Sequence, residues 1–420
     1  MLAALAAGPL VKGMDAVLAA ETGSGKTLAY LGPLLSRWSE GDAGSVLVLA
    51  PTKTLCSQVA AVGAALLPGR PPWIATARQA LPRPPPRLVV STPGSLARLL
   101  SEADAEAELL RSARSVVLDE CDLLLGGSYG RDMERVLSAL RAADRAAARE
   151  AARRSLGLTP EAFDALPLRV RRAAAEPDGA RAARELLGRA EPAAPAPSAE
   201  PTHRQYVFVG ATLPREGDRE VGTRLRAGWP AAVWLEGPRL HRGLARAEYV
   251  WTAYRSAAQR AALLQAAVDR LPRDATALVF ARDAASARQT YEALRPALAR
   301  ATSRSSRTRP PSTARPPRVL VLTDGVARGL DLPGVTHVIQ ADFARSAVDF
   351  IHRAGRTARA GRGGTVVSLY DEDQAPLVQA LRQGIARGES LEGAFSRKRS
   401  FRKKFKRYGK FVPRGQLSAD

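Results

Sequence analysis

Residues 20–27 read Ala20-Glu21-Thr22-Gly23-Ser24-Gly25-Lys26-Thr27 and follow the apolar run 15–20. A buried strand, a Gly-rich turn and a helix start, in that order, aim backbone N–H groups at a polyphosphate. Gly23 and Gly25 let the backbone come close, and Thr22 and Ser24 complete the turn. Lys26 can reach the β- and γ-oxygens, and the Thr27 hydroxyl suits Mg²⁺. The general pattern opens on Gly, where this chain has Ala20. A second chemical cluster, Asp119-Glu120-Cys121-Asp122, ends a continuous apolar run. Open α/β sheets place their reactive groups at such strand ends. Asp119 would hold Mg²⁺ through water, and Glu120 would orient and deprotonate an attacking water. Further on, Arg356 and Arg359 lie three residues apart in the run 352–362 and project together on a helix or tight turn. Two guanidiniums on a separate domain can neutralise a γ-phosphate when domains close. Alone, the run would read as a solvated Arg-rich helix.

These groups need a scaffold that delivers them to one rim. Short β-branched runs at 45–50, 87–91, 115–119 and 205–210 alternate with helical stretches, the mark of a doubly wound parallel sheet. A second α/β series starts near Glu248, with runs at 277–280, 319–322 and 365–369. Residues 1–7 are apolar and run into the first strand, so they read as a core helix with no secretory signal. Two α/β domains follow: 1–228, then a linker at 229–246, then 247–390. Residues 143–203 interrupt the first as an Ala/Arg/Pro-rich insertion of one or two helices with a flexible Pro-Ala end. Residues 301–317 are Ser/Arg/Pro-rich without apolar periodicity and read as disordered. Residues 391–420 form a basic tail.

Composition narrows the chemistry. A chain of 420 residues with 45% hydrophobic residues can bury two cores. No apolar run is long enough to span a membrane. Two cysteines, Cys56 and Cys121, and four scattered histidines exclude a disulfide framework and a thiolate or imidazole metal cluster. The net charge of +22 points to a polyanionic partner, nucleic acid first.

Taken in order, the motifs resemble those of the DEAD-box RNA helicases of superfamily 2 over nearly the whole chain. Motif I is 20–27, Ia is Pro51-Thr52-Lys53-Thr54-Leu55, and Ib is Thr92-Pro93-Gly94-Ser95. Motif II is 119–122, Gly210-Ala211-Thr212 stands for motif III, and Val279-Phe280 marks motif IV. Motif V is 323–331 and motif VI is 352–362. The resemblance implies two RecA-like domains in tandem with a disordered basic C-terminal tail. It implies ATP and Mg²⁺ as cofactors, with Asp331 on the ribose, and Asp122, Gly210 and Thr212 coupling ATP to domain closure. Thr52, Lys53, Thr92, Gly94 and, from the second domain, Thr323 would touch the sugar–phosphate backbone of RNA, which gives binding without sequence preference. The family's Q motif has no counterpart here. Nor has its His-Gly stretch and Gln-x-x-Arg contact between motifs IV and V, where 301–317 stands, so a core strand and helix of the second domain are expected to be lost.

The tail at 397–411 lacks acids and sets Phe401, Phe405 and Tyr408 at i, i+4, i+7. An RNA-binding stripe and a nucleolar address or solubilising tail fit it equally. The reading is an ATP-dependent RNA helicase that separates strands locally on single-stranded or structured RNA, ribosomal RNA included. It is expected to act as a monomer away from membranes. The alternative is a catalytically weakened RNA clamp. Motif III and the residues around Asp342 and 349–356 most resemble mitochondrial helicases of large-ribosomal-subunit assembly. That implies a mitochondrial location, with nucleolus or cytoplasm as alternatives.

Overall fold

The computed structural model describes residues 2–21, 24–37, 44–75, 82, 85–100, 103–126, 129–174, 179–188, 204–211, 213, 221–237, 243–244, 246–306, 317–327, 332, 334–359, 361–391 and 394. Apart from two short segments, its two compact units divide between Leu235 and Glu236.

The first unit opens with α1 (Leu2–Val11), which buries Leu2, Ala6 and Leu10, as a core helix should. There follow β1 (Ala16–Ala19), α2 (Lys26–Arg37), β2 (Ser45–Leu49), α3 (Lys53–Leu66), β3 (Trp73–Ala75), β4 (Leu88–Ser91) and α4 (Pro93–Leu99). Next come α5 (Ala103–Ser112), β5 (Ala113–Asp119) and α6 (Cys121–Gly126). Helices α7 (Gly130–Ser155), α8 (Pro160–Asp164), α9 (Leu168–Ala173) and α10 (Gly179–Leu186) precede β6 (Gln205–Gly210), α11 (Val221–Gly228) and β7 (Val233–Glu236). The seven strands run β3-β4-β2-β5-β6-β1-β7. Strands β2, β4 and β6 are buried at every position, because helices cover both faces of a parallel sheet. The stretch expected as a linker at 229–246 thus contains a strand. Its four residues are only half-buried, which hid the pattern.

The insertion also differs from expectation. Helix α7 begins before residue 143, and three further helices follow it instead of one or two in all. Ala152, Leu156, Phe163, Val170, Ala174 and Ala183 close a small core of their own. Alanine supplies half of it, so its apolar signal is weak. The Pro-Ala end at 189–203 lies outside the described residues. One buried polar knot fastens α7 to the sheet. Arg204, only 7% exposed, donates from Nε to Asp144 Oδ1 at 2.8 Å and from Nη2 to the Leu110 carbonyl at 2.9 Å. The Tyr206 hydroxyl donates to the other Asp144 oxygen at 2.9 Å. Asp144→Ala leaves that guanidinium buried against carbonyls alone. It is expected to cost about 2–3 kcal/mol, the low end for breaking a buried pair, since Asp144 keeps some solvent. Urea unfolding of the first unit checks this, with Asp144→Asn milder.

The second unit contains β8 (Ala247–Ala253), α12 (Ala257–Asp269), β9 (Thr276–Ala281), α13 (Ala284–Ser306), β10 (Arg318–Thr323), α14 (Asp324–Ala327), β11 (Val335–Gln340), α15 (Ala347–Ala354), β12 (Gly364–Tyr370) and α16 (Ala375–Arg387). Its five strands run β10-β9-β11-β12-β8, with every adjacent pair parallel. Residues 301–306 were read as disordered, yet they continue α13, their Ala and Ser being compatible with helix once the preceding turns are formed. Residues 307–316 lie outside the described set. Among the described residues, β10 is the last strand on its side of the sheet.

Candidate active site

The proposed site residues of the first unit sit where strands end. β1 leads into the phosphate-loop sequence, and Lys26 and Thr27 open α2. Gly25 takes φ of +82°, a conformation that a side chain would strain. Lys26 is 8% exposed. The Ser24 Oγ is enclosed and has no hydrogen-bond partner among the described residues. An enclosed hydroxyl without a partner is costly. A phosphate oxygen would satisfy it, so the loop fits a nucleotide. Thr22 and Gly23 lie outside the described residues.

Two strands away in the sheet, β5 ends on Asp119. Asp119 is 8% exposed, and its two oxygens have different donors. The Glu120 N–H reaches Oδ1 at 3.0 Å, and the Tyr30 hydroxyl reaches Oδ2 at 2.9 Å. Burial, then the neighbouring Glu120 charge, pushes the Asp119 carboxyl up to about 6, against the pull of Tyr30 and Lys26. A carboxylate held this reluctantly is the donor set a hydrated cation would relieve. Glu120 itself adopts φ of +54°. Its carbonyl accepts from Leu123 and Leu124 N–H at 2.9 and 3.1 Å, so this left-handed residue also starts α6. A non-glycine residue in that region costs on the order of 1 kcal/mol and concentrates at functional positions. Asp122 is buried and accepts from the Leu123 N–H at 3.1 Å. Gly210 ends β6, between β5 and β1 in the sheet; Thr212 lies outside the described residues.

The residues assigned to RNA follow β2 and β4, which are neighbours on the other half of the sheet. Thr52 caps α3 by accepting from the Leu55 N–H at 3.2 Å, and Lys53 is exposed beside it. Thr92 caps α4 by accepting from the Ser95 N–H at 3.3 Å. A Cβ on Gly94 would lie 2.9 Å from Asp132 Oδ2. The strand order thus separates two groups on one rim: the residues expected to hold nucleotide at β1, β6 and β5, and those expected to touch RNA at β2 and β4.

In the second unit, Thr323 ends β10, and Arg356 and Arg359 follow α15 on a turn. Both arginines are half-buried, and Arg359 Nε donates to the Gly355 carbonyl at 2.6 Å. A Cβ on Gly364 would collide with the Thr357 side chain and stand 2.8 Å from the Ala358 nitrogen, so glycine lets this turn lie against β12. Asp331 lies outside the described residues.

Two family models match the chain. The model of the DEAD/DEAH box helicase family matches residues 3–159, and that of the helicase conserved C-terminal domain matches 271–361. DEAD-box ATP-dependent RNA helicase 22 of Oryza sativa subsp. japonica is 35% identical, over 94% of this chain and 77% of its own length. The chain belongs to the DEAD-box RNA helicase family. ATP-dependent RNA helicase DBP8 of Debaryomyces hansenii is 30% identical, over 90% of this chain and 77% of its own. Among solved structures, Mss116p lacking its NTE and C-tail, bound to ssRNA and AMP-PNP, superposes with a TM-score of 0.58 at 18% identity, covering 91% of this chain and 71% of that one. S. cerevisiae Dbp5 bound to RNA and ADP BeF3 gives 0.55 at 16% identity, over 93% and 89%. At those identities the likeness concerns the fold, two RecA-like domains.

Two residues of this family member escaped the sequence reading. Tyr30 sits on α2 four positions beyond Lys26, with no polar neighbour in sequence to single it out. Arg353, within motif VI, is buried and donates from Nε and Nη2 to the two Asp324 oxygens, both at 2.7 Å. Its Nη1 reaches the Asp342 carbonyl at 2.6 Å. It therefore ties α15, which leads to Arg356, to the residue after Thr323. A bidentate Arg–carboxylate pair fixes geometry as well as charge.

Proposed function

We propose that this chain hydrolyses ATP with Mg²⁺ in an RNA-stimulated cycle that separates RNA strands locally or remodels ribonucleoprotein. The observation that supports it most is the divided rim of the first sheet, with a phosphate loop and an acidic strand end beside a separate pair of capped helix starts. Thr22, Gly23, Ser24, Gly25 and Lys26 hold the triphosphate, and Asp331 the ribose. Thr27 and Asp119 hold Mg²⁺, whose charge, when bound, draws electrons from the phosphates. Glu120 orients and deprotonates water, while Lys26, Arg356 and Arg359 neutralise the transferred phosphoryl group. Asp122, Gly210 and Thr212 couple the nucleotide to RNA held by Thr52, Lys53, Thr92, Gly94 and Thr323.

We further propose ribosomal RNA as the target class and mitochondria as the compartment, on the finer motif resemblance. No helix among the described residues is long and apolar enough to cross a membrane. The clamp reading draws support from the sequence at 301–317, which stands where the family's contact between motifs IV and V is expected. ATP hydrolysis by the purified chain, with and without single-stranded RNA, separates the two. RNA-stimulated turnover that Glu120→Gln abolishes supports the helicase; RNA binding with no turnover above that control supports the clamp.

A further inference from the structure

Tyr30 is fully buried, with 0% of its surface exposed, on the face of α2 that also buries Leu31 and Leu34. A phenylalanine would fill that volume without bringing a hydroxyl that costs about 1–3 kcal/mol when buried without a partner. Here the hydroxyl has a partner 89 residues away in sequence, Asp119 Oδ2, at 2.9 Å. With Glu120 N–H on Oδ1 at 3.0 Å, the Asp119 carboxylate is gripped at both oxygens and cannot turn about its terminal bond. The phenol thus holds one of the two side chains that the proposed function assigns to the cation, and lies one helical turn from the other. Its placement follows from helical spacing: Tyr30 is three residues beyond Thr27, one turn further along the same face.

We propose that Tyr30 is a positioning residue for the divalent cation, its hydroxyl setting the orientation of Asp119 before nucleotide arrives. This rests on the Mg²⁺ reading of the site. A preset carboxylate leaves its outward lone pairs for a metal-bound water. A freely turning one must be ordered as the cation binds, and affinity falls accordingly.

The test is Tyr30→Phe in the full chain. Mn²⁺ binding in the presence of ADP is followed by electron paramagnetic resonance, and melting temperature is followed against Mg²⁺ with ADP. The expected result is a roughly ten-fold weaker Mn²⁺ affinity, the order carried by one hydrogen bond to a charged group. ADP binding in EDTA should be unchanged, and the Mg²⁺-dependent rise in melting temperature smaller. In an Asp119→Asn background, Tyr30→Phe should have no further effect on Mn²⁺. Equal Mn²⁺ affinity in wild type and Tyr30→Phe would overturn the proposal, as would an equal loss in the Asn background, which marks packing alone. Wild-type protein that takes up no Mn²⁺ with ADP would overturn the Mg²⁺ reading itself, and the role of Tyr30 with it.

Discussion

Glu120→Gln is expected to lower single-turnover ATP hydrolysis by about 10²- to 10⁴-fold, the contribution of a positioned general base. RNA binding with ATP present should persist. The substitution isolates the chemistry because it leaves the backbone problem untouched. Glutamate and glutamine meet the same cost at φ of +54°, and either carbonyl can start α6. What disappears is one negative charge beside Asp119, and with it the group that accepts a proton from water. If hydrolysis by the Gln variant stays within about three-fold of wild type, the base lies elsewhere.

Asp119→Asn should produce two opposite results: loss of turnover of at least about 10²-fold, and a more stable ligand-free protein. The sign follows from the raised carboxyl. Its ordinary value is 3.8 and its value in the fold is about 6, so the native state holds this proton more tightly than the unfolded chain does. That stabilisation is complete below about pH 4 and is lost as pH rises through 6. Above it, the ionised Asp119 costs up to about 3 kcal/mol relative to a group that does not titrate. Asparagine can still accept from the Glu120 N–H and hydrogen-bond the Tyr30 hydroxyl. Melting curves in EDTA should therefore place the Asn variant several degrees higher at pH 7, with the gap closing towards pH 4. Excess Mg²⁺ and ATP should narrow the gap by stabilising only the wild type.

The sequence read well where one residue type or one period decides the structure. Strands such as 45–49 and 205–210 are unbroken apolar runs because both sheet faces are covered, and the phosphate loop declares itself through glycines and a lysine. Strand β11, by contrast, is broken by Thr336 and His337 side by side, and β7 is half-exposed, so neither rose above its surroundings. The helices of the insertion were undercounted because alanine and arginine carry little periodic contrast. Tyr30 and Arg353 were invisible for a different reason. Their partners, Asp119 and Asp324, are remote in sequence, and only the sheet's strand order brings them near.

The outer side of β10, unpaired among the described residues, bears on how this protein behaves in bulk. Val319, Leu320 and Val321 are only half-covered, and a free apolar strand edge is a template onto which another chain can align. Net charge of +22 disperses copies in dilute buffer, and the exposed Arg318 at the strand's start acts as a gatekeeper. Both protections weaken as salt screens the charge. Concentrated high-salt stocks are thus where association through β10 should first be seen.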